Sequence, residues 1–247
     1  MPRSAVLRVA TLWAAVGLVG CSSRSYESDY QRRVSDFRGD SVFATLARNP
    51  TDFLDGRVRL RLPSMLETPK EDDGTKIRAK PPFVRDFPGY IGAFEKIVTV
   101  GNEQLPAVLT VGVVPTSLRR HAEVEKVILE QVRRDESFPK ADWERGREVV
   151  ATAGGPTTWD VLSLTGSQEF EIVVGGNPDY KKLPGRCEIW VSADPRQEFC
   201  TVVAYRVPEP LADQLPTGVS QTVELVARSV AIVEPPADPA ADAPGAK

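Results

Sequence analysis

Four side chains carry most of the chemistry open to this 247-residue chain: three cysteines, Cys21, Cys187 and Cys200, and a single histidine, His121. One histidine excludes the helical zinc motif, which needs two, and any Ser-His-Asp or Cys-His relay has to run through His121 itself. That residue stands at a charged helix start beside Arg119, Arg120 and Glu123, and reads as a solvated surface position. No serine occupies a Gly-x-Ser-x-Gly elbow. Gly154 and Gly155 precede Pro156, and Gly175 and Gly176 precede Asn177 and Pro178; neither pair has the lysine or the spacing of a phosphate loop, so both are turns. Paired carboxylates remain, since two acids at the right separation suffice for glycoside hydrolysis. Glu169 and Glu171 alternate with Phe170 and Ile172, which puts them on the solvent face of a strand, and Glu123, Glu125 and Glu130 fit the wet face of a helix. No catalytic, cofactor-binding or metal-ligating residue is assigned, and no cofactor is expected.

Cys21 has a distinct setting. A short basic stretch with Arg3 and Arg8 leads into an uncharged apolar run, residues 9–20, and Cys21 follows at once, with polar Ser22, Ser23 and Arg24 behind it. That is the layout of a secretory signal peptide. The run is shorter than the roughly 20 apolar residues of a membrane-spanning helix, so it reads as cleaved. Leu18, Val19, Gly20 and Cys21 resemble the lipobox of bacterial lipoproteins. The resemblance implies cleavage after Gly20, a diacylglyceryl group on the Cys21 sulfur and acylation of the freed amine. Two or three chains, each buried methylene contributing about 0.8 kcal/mol, anchor a protein durably where one does not. Within the same resemblance Ser22, standing where an aspartate marks inner-membrane retention, favours the outer membrane of the cell envelope.

With Cys21 committed to lipid, Cys187 and Cys200 remain, in a segment that reads as two strands around a turn at Ser192, Ala193, Asp194 and Pro195. A hairpin centred there sets 187 opposite 200, about 4.5–5.5 Å apart at the α-carbons and within disulfide reach. An oxidising envelope permits the bond, so a disulfide is expected; the alternative is two small buried hydrophobes. Two thiols without neighbouring histidines do not make a zinc site. Of 31 basic residues, losing Arg3 and Arg8 with the leader leaves 29 against 34 acids, a net of −5. The basic residues are dispersed, so nothing recruits nucleic acid.

The elements that must position these groups follow from periodicity. After the leader, 1–20, comes a polar tether, 21–39, then one globular domain, 40–234, and a Pro/Ala/Asp tail, 235–247, too poor in apolar residues to fold. A charged, proline-bearing stretch, 67–88, reads as a long surface loop. Residues 57–62 alternate arginine with Val58, Leu60 and Leu62, as a half-buried strand does. Strands follow at 94–100 and 108–114, then an amphipathic helix over 118–135 with Val124, Val127, Ile128 and Val132 on one face. A charged connection with Trp143, a potentially exposed aromatic, leads to strands at 148–153, 157–165, 169–174, 187–191 and 198–207, whose Trp159, Trp190, Phe199 and Tyr205 are expected in the core. A second helix spans 219–231, with Val223, Val226, Ala227 and Val230 on its buried face. This order predicts an α+β domain: a mainly antiparallel sheet with two helices packed on it.

That succession, an early strand ending at Leu62 and Pro63, a hairpin and helix, a strand meander, and a closing helix through Leu225, Val226, Ala227, Arg228, Ser229 and Val230, resembles the PsbP-like fold over about residues 40–234. The resemblance implies a protein that binds or stabilises partners. The expected function is therefore a non-catalytic binding or assembly module, held to the membrane by lipid on Cys21, with an envelope protein as partner and with loop 67–88 and the sheet's open face as contacts. The alternative is an envelope polysaccharide or peptidoglycan hydrolase using a carboxylate pair.

Overall fold

The structure is a computed structural model that describes residues 42–68, 87–135, 138, 143–152, 155–193 and 197–233. The leader, Cys21, the tether, the tail and residues 69–86 of the long loop lie outside the described residues. The chain divides into Met1–Ala44 and Thr45–Lys247, and the fold below belongs to the second unit. Among the described residues no helix is long and apolar enough to cross a membrane.

A six-stranded antiparallel sheet forms the frame. Its strands are β3 (Tyr90–Val100), β4 (Glu103–Pro115), β5 (Glu144–Thr152), β6 (Gly155–Val174), β7 (Asn177–Ser192) and β8 (Phe199–Pro208), in the order β3-β4-β8-β7-β6-β5. A smaller antiparallel sheet joins β1 (Thr51–Phe53), β2 (Val58–Leu60) and β9 (Ala231–Ile232). Helices α1 (His121–Arg134), α2 (Glu209–Ala212) and α3 (Val219–Arg228) complete the α+β fold. The strands outrun their sequence boundaries. Residues 155–174 form one strand where two were expected, and 177–186, charged and rich in turn formers, extend β7 to pair with it.

Both faces of the sheet are covered. On one lies α1, whose Val124, Ile128, Leu129 and Val132 pack with Leu162, Leu164, Cys187, Ile189, Val191, Cys200, Val202 and Ala204. Residues alternate across a strand, so the other face carries Glu188, Trp190, Ser192, Val203 and Tyr205; there α3 buries Val219, Val223, Val226 and Ala227. The expected open face is therefore absent. All ten residues of β8 are buried, which suits a β-branched and aromatic strand enclosed on both faces.

The β6–β7 hairpin is long and bent. Gly166 and Gly185 are directly paired, and beyond this rung the hairpin becomes an arm, residues 167–184. The bend requires glycine at 185, where a Cβ would lie 2.6 Å from Phe170 Cζ. The arm closes with Gly175 and Gly176, both left-handed at φ 57° and 88°, the geometry of the tight turn whose twist suits a hairpin. Bending carries the end of β6 back to β4, where Glu103 pairs with Val174 and Gln104 with Val173. Strands β4, β8, β7 and β6 thus make a closed circuit at this end of the sheet.

The two cysteines do not meet. The pairing of β7 with β8 sets Cys187 opposite Arg206, and β4 sets Val114 opposite Cys200. The symmetry centre of the β7–β8 hairpin falls beyond Ser192, which β7 includes, so the register is shifted from that of a turn at 192–195. Both thiols are free and buried on the α1 face, the role of small hydrophobes; the expected disulfide is not formed. Burial pushes each thiol's pKa from 9.0 up to about 12. Both are expected to resist a maleimide in the native protein and to react fully in urea; one oxidised pair in non-reducing mass spectrometry would contradict this arrangement. A thiol raised in the folded state stabilises the fold fully below its ordinary pKa of 9.0. That stability is lost as pH rises toward the folded value near 12, at about 1.4 kcal/mol per pH unit per thiol.

Candidate functional site

The polar groups able to do chemistry lie inside the sheet layers and at its edges. The first cluster forms where the arm folds over β8. Arg206 is 7% exposed, its guanidinium between two aromatic rings, 4.6 Å from the centroid of Phe138 and 4.3 Å from that of Phe170. Its Nε donates to Gln168 Oε1 at 3.0 Å and its Nη2 to the Glu169 carbonyl at 2.5 Å. Burial pulls its pKa down, and the nearby acids Asp135 and Glu169 act the other way. An arginine so placed remains charged. It ties the arm, through Gln168, Glu169 and Phe170, to the central strand.

The second cluster lies on the other face, beneath α3. Glu188 is 2% exposed. Its Oε1 accepts from Arg186 Nη2 at 2.9 Å and from the Ser220 hydroxyl, and its Oε2 accepts from Trp190 Nε1 at 3.2 Å. Arg186 also donates to Ser220 Oγ at 2.7 Å. A buried carboxylate with this many donors is a joint between β7 and α3, since a paired and hydrogen-bonded charge avoids the penalty of an isolated one. Neither Arg206 nor Glu188 was singled out from the sequence. The signal was present: each is a charge inside an apolar run, Arg206 within residues 199–208 and Glu188 between Cys187 and Ile189.

The residues that were singled out are placed as follows. His121 is the first residue of α1, half buried, and its Nδ1 bonds the Ser192 carbonyl, so it is no solvated surface histidine. It sits over the end of β7 because α1 starts where β4 delivers the chain back to the sheet. Its Nε2 is buried and has no partner among the described residues. Glu169 and Glu171, each half buried, flank buried Phe170 on the outer side of β6, and Glu123 and Glu130 are exposed on α1 while Glu125 is half buried. Trp159, Trp190, Phe199 and Tyr205 are buried. Trp143 is half buried and meets Phe138 edge-on at 5.4 Å; among the described residues the exposed aromatic is Tyr180, on the arm. Among the described residues no group of three or more His, Cys, Asp or Glu is placed to hold a metal ion.

The sheet edges differ from one another. At β3, Glu67 and Glu95 exchange backbone hydrogen bonds of 2.9 and 2.8 Å, so residue 67 continues the sheet there. The arm's β7 edge contains Pro178 and Pro184. At β5 the residues 144–149 are exposed in unbroken succession, Val149 at 66%, and among the described residues β5 pairs with β6 alone.

The fold defines an α+β protein built on a six-stranded antiparallel sheet with helices on both faces and a smaller three-stranded sheet beside it. No family model and no curated protein matches the chain. Among solved structures it is similar to the Ran-binding protein Mog1p of Saccharomyces cerevisiae, at 10% identity and a TM-score of 0.39 over 76% of this chain and 97% of that one. It is also similar to LpqN, involved in cell envelope biogenesis of Mycobacterium tuberculosis, at 10% identity and a TM-score of 0.38 over 76% of this chain and 92% of that one. These likenesses are of strand and helix arrangement and do not extend to activity or partner.

Proposed function

We propose that this protein is an exported lipoprotein, anchored in the cell envelope by lipid on Cys21, whose domain is a non-catalytic binding or assembly module. The observation that supports this reading most directly is the β5 edge, a long exposed strand of backbone donors and acceptors that among the described residues has β6 as its one strand neighbour. The two buried charges fit the same reading, because Glu188 and Arg206 are engaged in joining elements of the fold. The anchor rests on the lipobox-like run Leu18–Cys21. The outer membrane is the proposed destination, and an envelope protein the proposed partner.

Metabolic labelling with a fatty-acid analogue tests the anchor. Wild-type protein is expected to carry the label and partition with membranes, and Cys21→Ala to lose both; label retained on Cys21→Ala would defeat it. Cross-linking of the wild-type lipoprotein in cells, followed by mass spectrometry, tests the module, which predicts a stoichiometric partner protein.

A further inference from the structure

Resting on the binding-module reading, we infer that β5 is a docking edge that takes up an extended segment of a different polypeptide, adding a strand to the sheet and reading acidic side chains on the α1 side. An unpaired edge is a template for another strand, and folds ordinarily cover or blunt it. Two of the exposed stretches at the sheet's margins are treated in this way. The β3 edge is engaged by residue 67 through the paired hydrogen bonds of Glu67 and Glu95. The arm's outer edge is blunted by proline. Pro178 and Pro184 stand opposite Val173 and Ser167 within the β6–β7 ladder, and a proline in a paired strand sits where its nitrogen points away from the partner. Two outward donors are therefore missing there. Strand β5 has nine residues and no proline, so every outward amide and carbonyl is present.

The side chains of β5 choose the occupant. Directly opposed residues share a face. Arg145 stands opposite Leu162, which packs under α1, and Arg147 and Val149 follow on that side opposite Asp160 and Thr158. Glu144 and Glu148, opposite Ser163 and Trp159, point to the other side. The edge therefore shows two arginines and an exposed valine on one face and two glutamates on the other. Arg147 is shared with Asp160 at 2.8 Å, which leaves Arg145 as the principal cation for an incoming strand. A second copy centred on the charged half of the strand is a poor fit. Two-fold antiparallel pairing about Gly146 sets Glu144 against the copy's Glu148 and Arg145 against its Arg147, and like charges directly opposed destabilise a ladder. The complementary occupant has acidic residues at alternate positions facing Arg145 and Arg147, with an apolar residue near Val149.

Two measurements test this on the full-length mature lipoprotein. In the first, hydrogen exchange of the purified protein is expected to show every second amide of residues 144–149 exchanging as fast as an unprotected peptide. Protection of all of them would show that the chain already covers its own edge and would overturn the proposal. In the second, a benzophenone side chain replaces Val149 in cells, with Tyr180 replaced likewise as control. The expected adduct joins position 149 to a run of another protein with Asp or Glu at alternate positions, and Arg145→Glu reduces it at least tenfold. An adduct to lipid or to a second copy, no adduct, or one indifferent to Arg145→Glu would overturn the edge assignment. A partner captured at position 180 and not at 149 would overturn the edge while leaving the binding-module reading standing.

Discussion

Arg206→Ala is expected to destabilise the domain by about 2–4 kcal/mol, since each buried acceptor left without its donor costs about 1–3 kcal/mol. That is a large share of the roughly 5–15 kcal/mol that holds a typical domain together. Two effects add. Gln168 Oε1 and the Glu169 carbonyl lose their donor, and the rings of Phe138 and Phe170 lose the cation between them. The arm is the element that should loosen first, because Arg206 joins it to β8 while two rungs and the Lys181–Glu103 ion pair join it to β4. Arg206→Met separates the contributions: it keeps volume between the rings and removes the charge, so it should cost less than alanine. Urea unfolding of both variants checks the order, and hydrogen exchange should place the new fast amides within residues 167–184. Equal stability of wild type and Arg206→Ala would show that the arm is held by apolar packing alone.

The second large effect is expected at Glu188. Glu188→Ala removes the acceptor for Trp190 Nε1, Ser220 Oγ and Arg186 at once, and should cost about 2–4 kcal/mol, since a donor left buried and unpaired loses its full solvation. Glu188→Gln keeps the shape and one acceptor oxygen and should cost less than half as much. The contrast with Ser220→Ala is informative. Ser220 is half buried at the start of α3, and its loss still leaves Arg186 and Trp190 on the carboxylate, so a smaller change is expected. If Glu188→Ala and Ser220→Ala were equally mild in urea unfolding, the cluster would not be the joint between β7 and α3 described above.

The type of each major element was legible in the residues. Helix α1 is written in the spacing of Val124, Ile128 and Val132 and helix α3 in that of Val223, Val226 and Ala227, and each buries those residues, whereas Val127 is half buried and the second helix ends at Arg228, so that Val230 lies beyond it and Ala231–Ile232 form β9. The alternation of Glu169 and Glu171 with Phe170 and Ile172 marked the buried side of β6 correctly. What failed was extent and register. Residues 177–186, with Pro178, Pro184 and four charges at Asp179, Lys181, Lys182 and Arg186, have no strand-like pattern. They become β7 because β6 beside them offers a complete ladder and a two-glycine turn joins the two. Cys187 and Cys200 show the same limit in another form. A period of two says which residues share a face, and both cysteines do face α1; it does not say which residue of the next strand stands opposite.

By itself, then, the amino-acid order determined the class of fold, the face each strand residue takes and the apolar run that ends at Cys21, because these depend on local periodicity and composition. Only the tertiary structure decided that the thiols stay apart, that Arg206 and Glu188 are internal charges, that His121 lies against Ser192, and that β5 is an exposed edge of the six-stranded sheet. Each of these is a relation between residues distant in sequence. The physical reason is that register and burial are set by whichever elements arrive from elsewhere in the chain: the arm that folds over Arg206, the helix that closes on Glu188, and the neighbour that β5 lacks among the described residues.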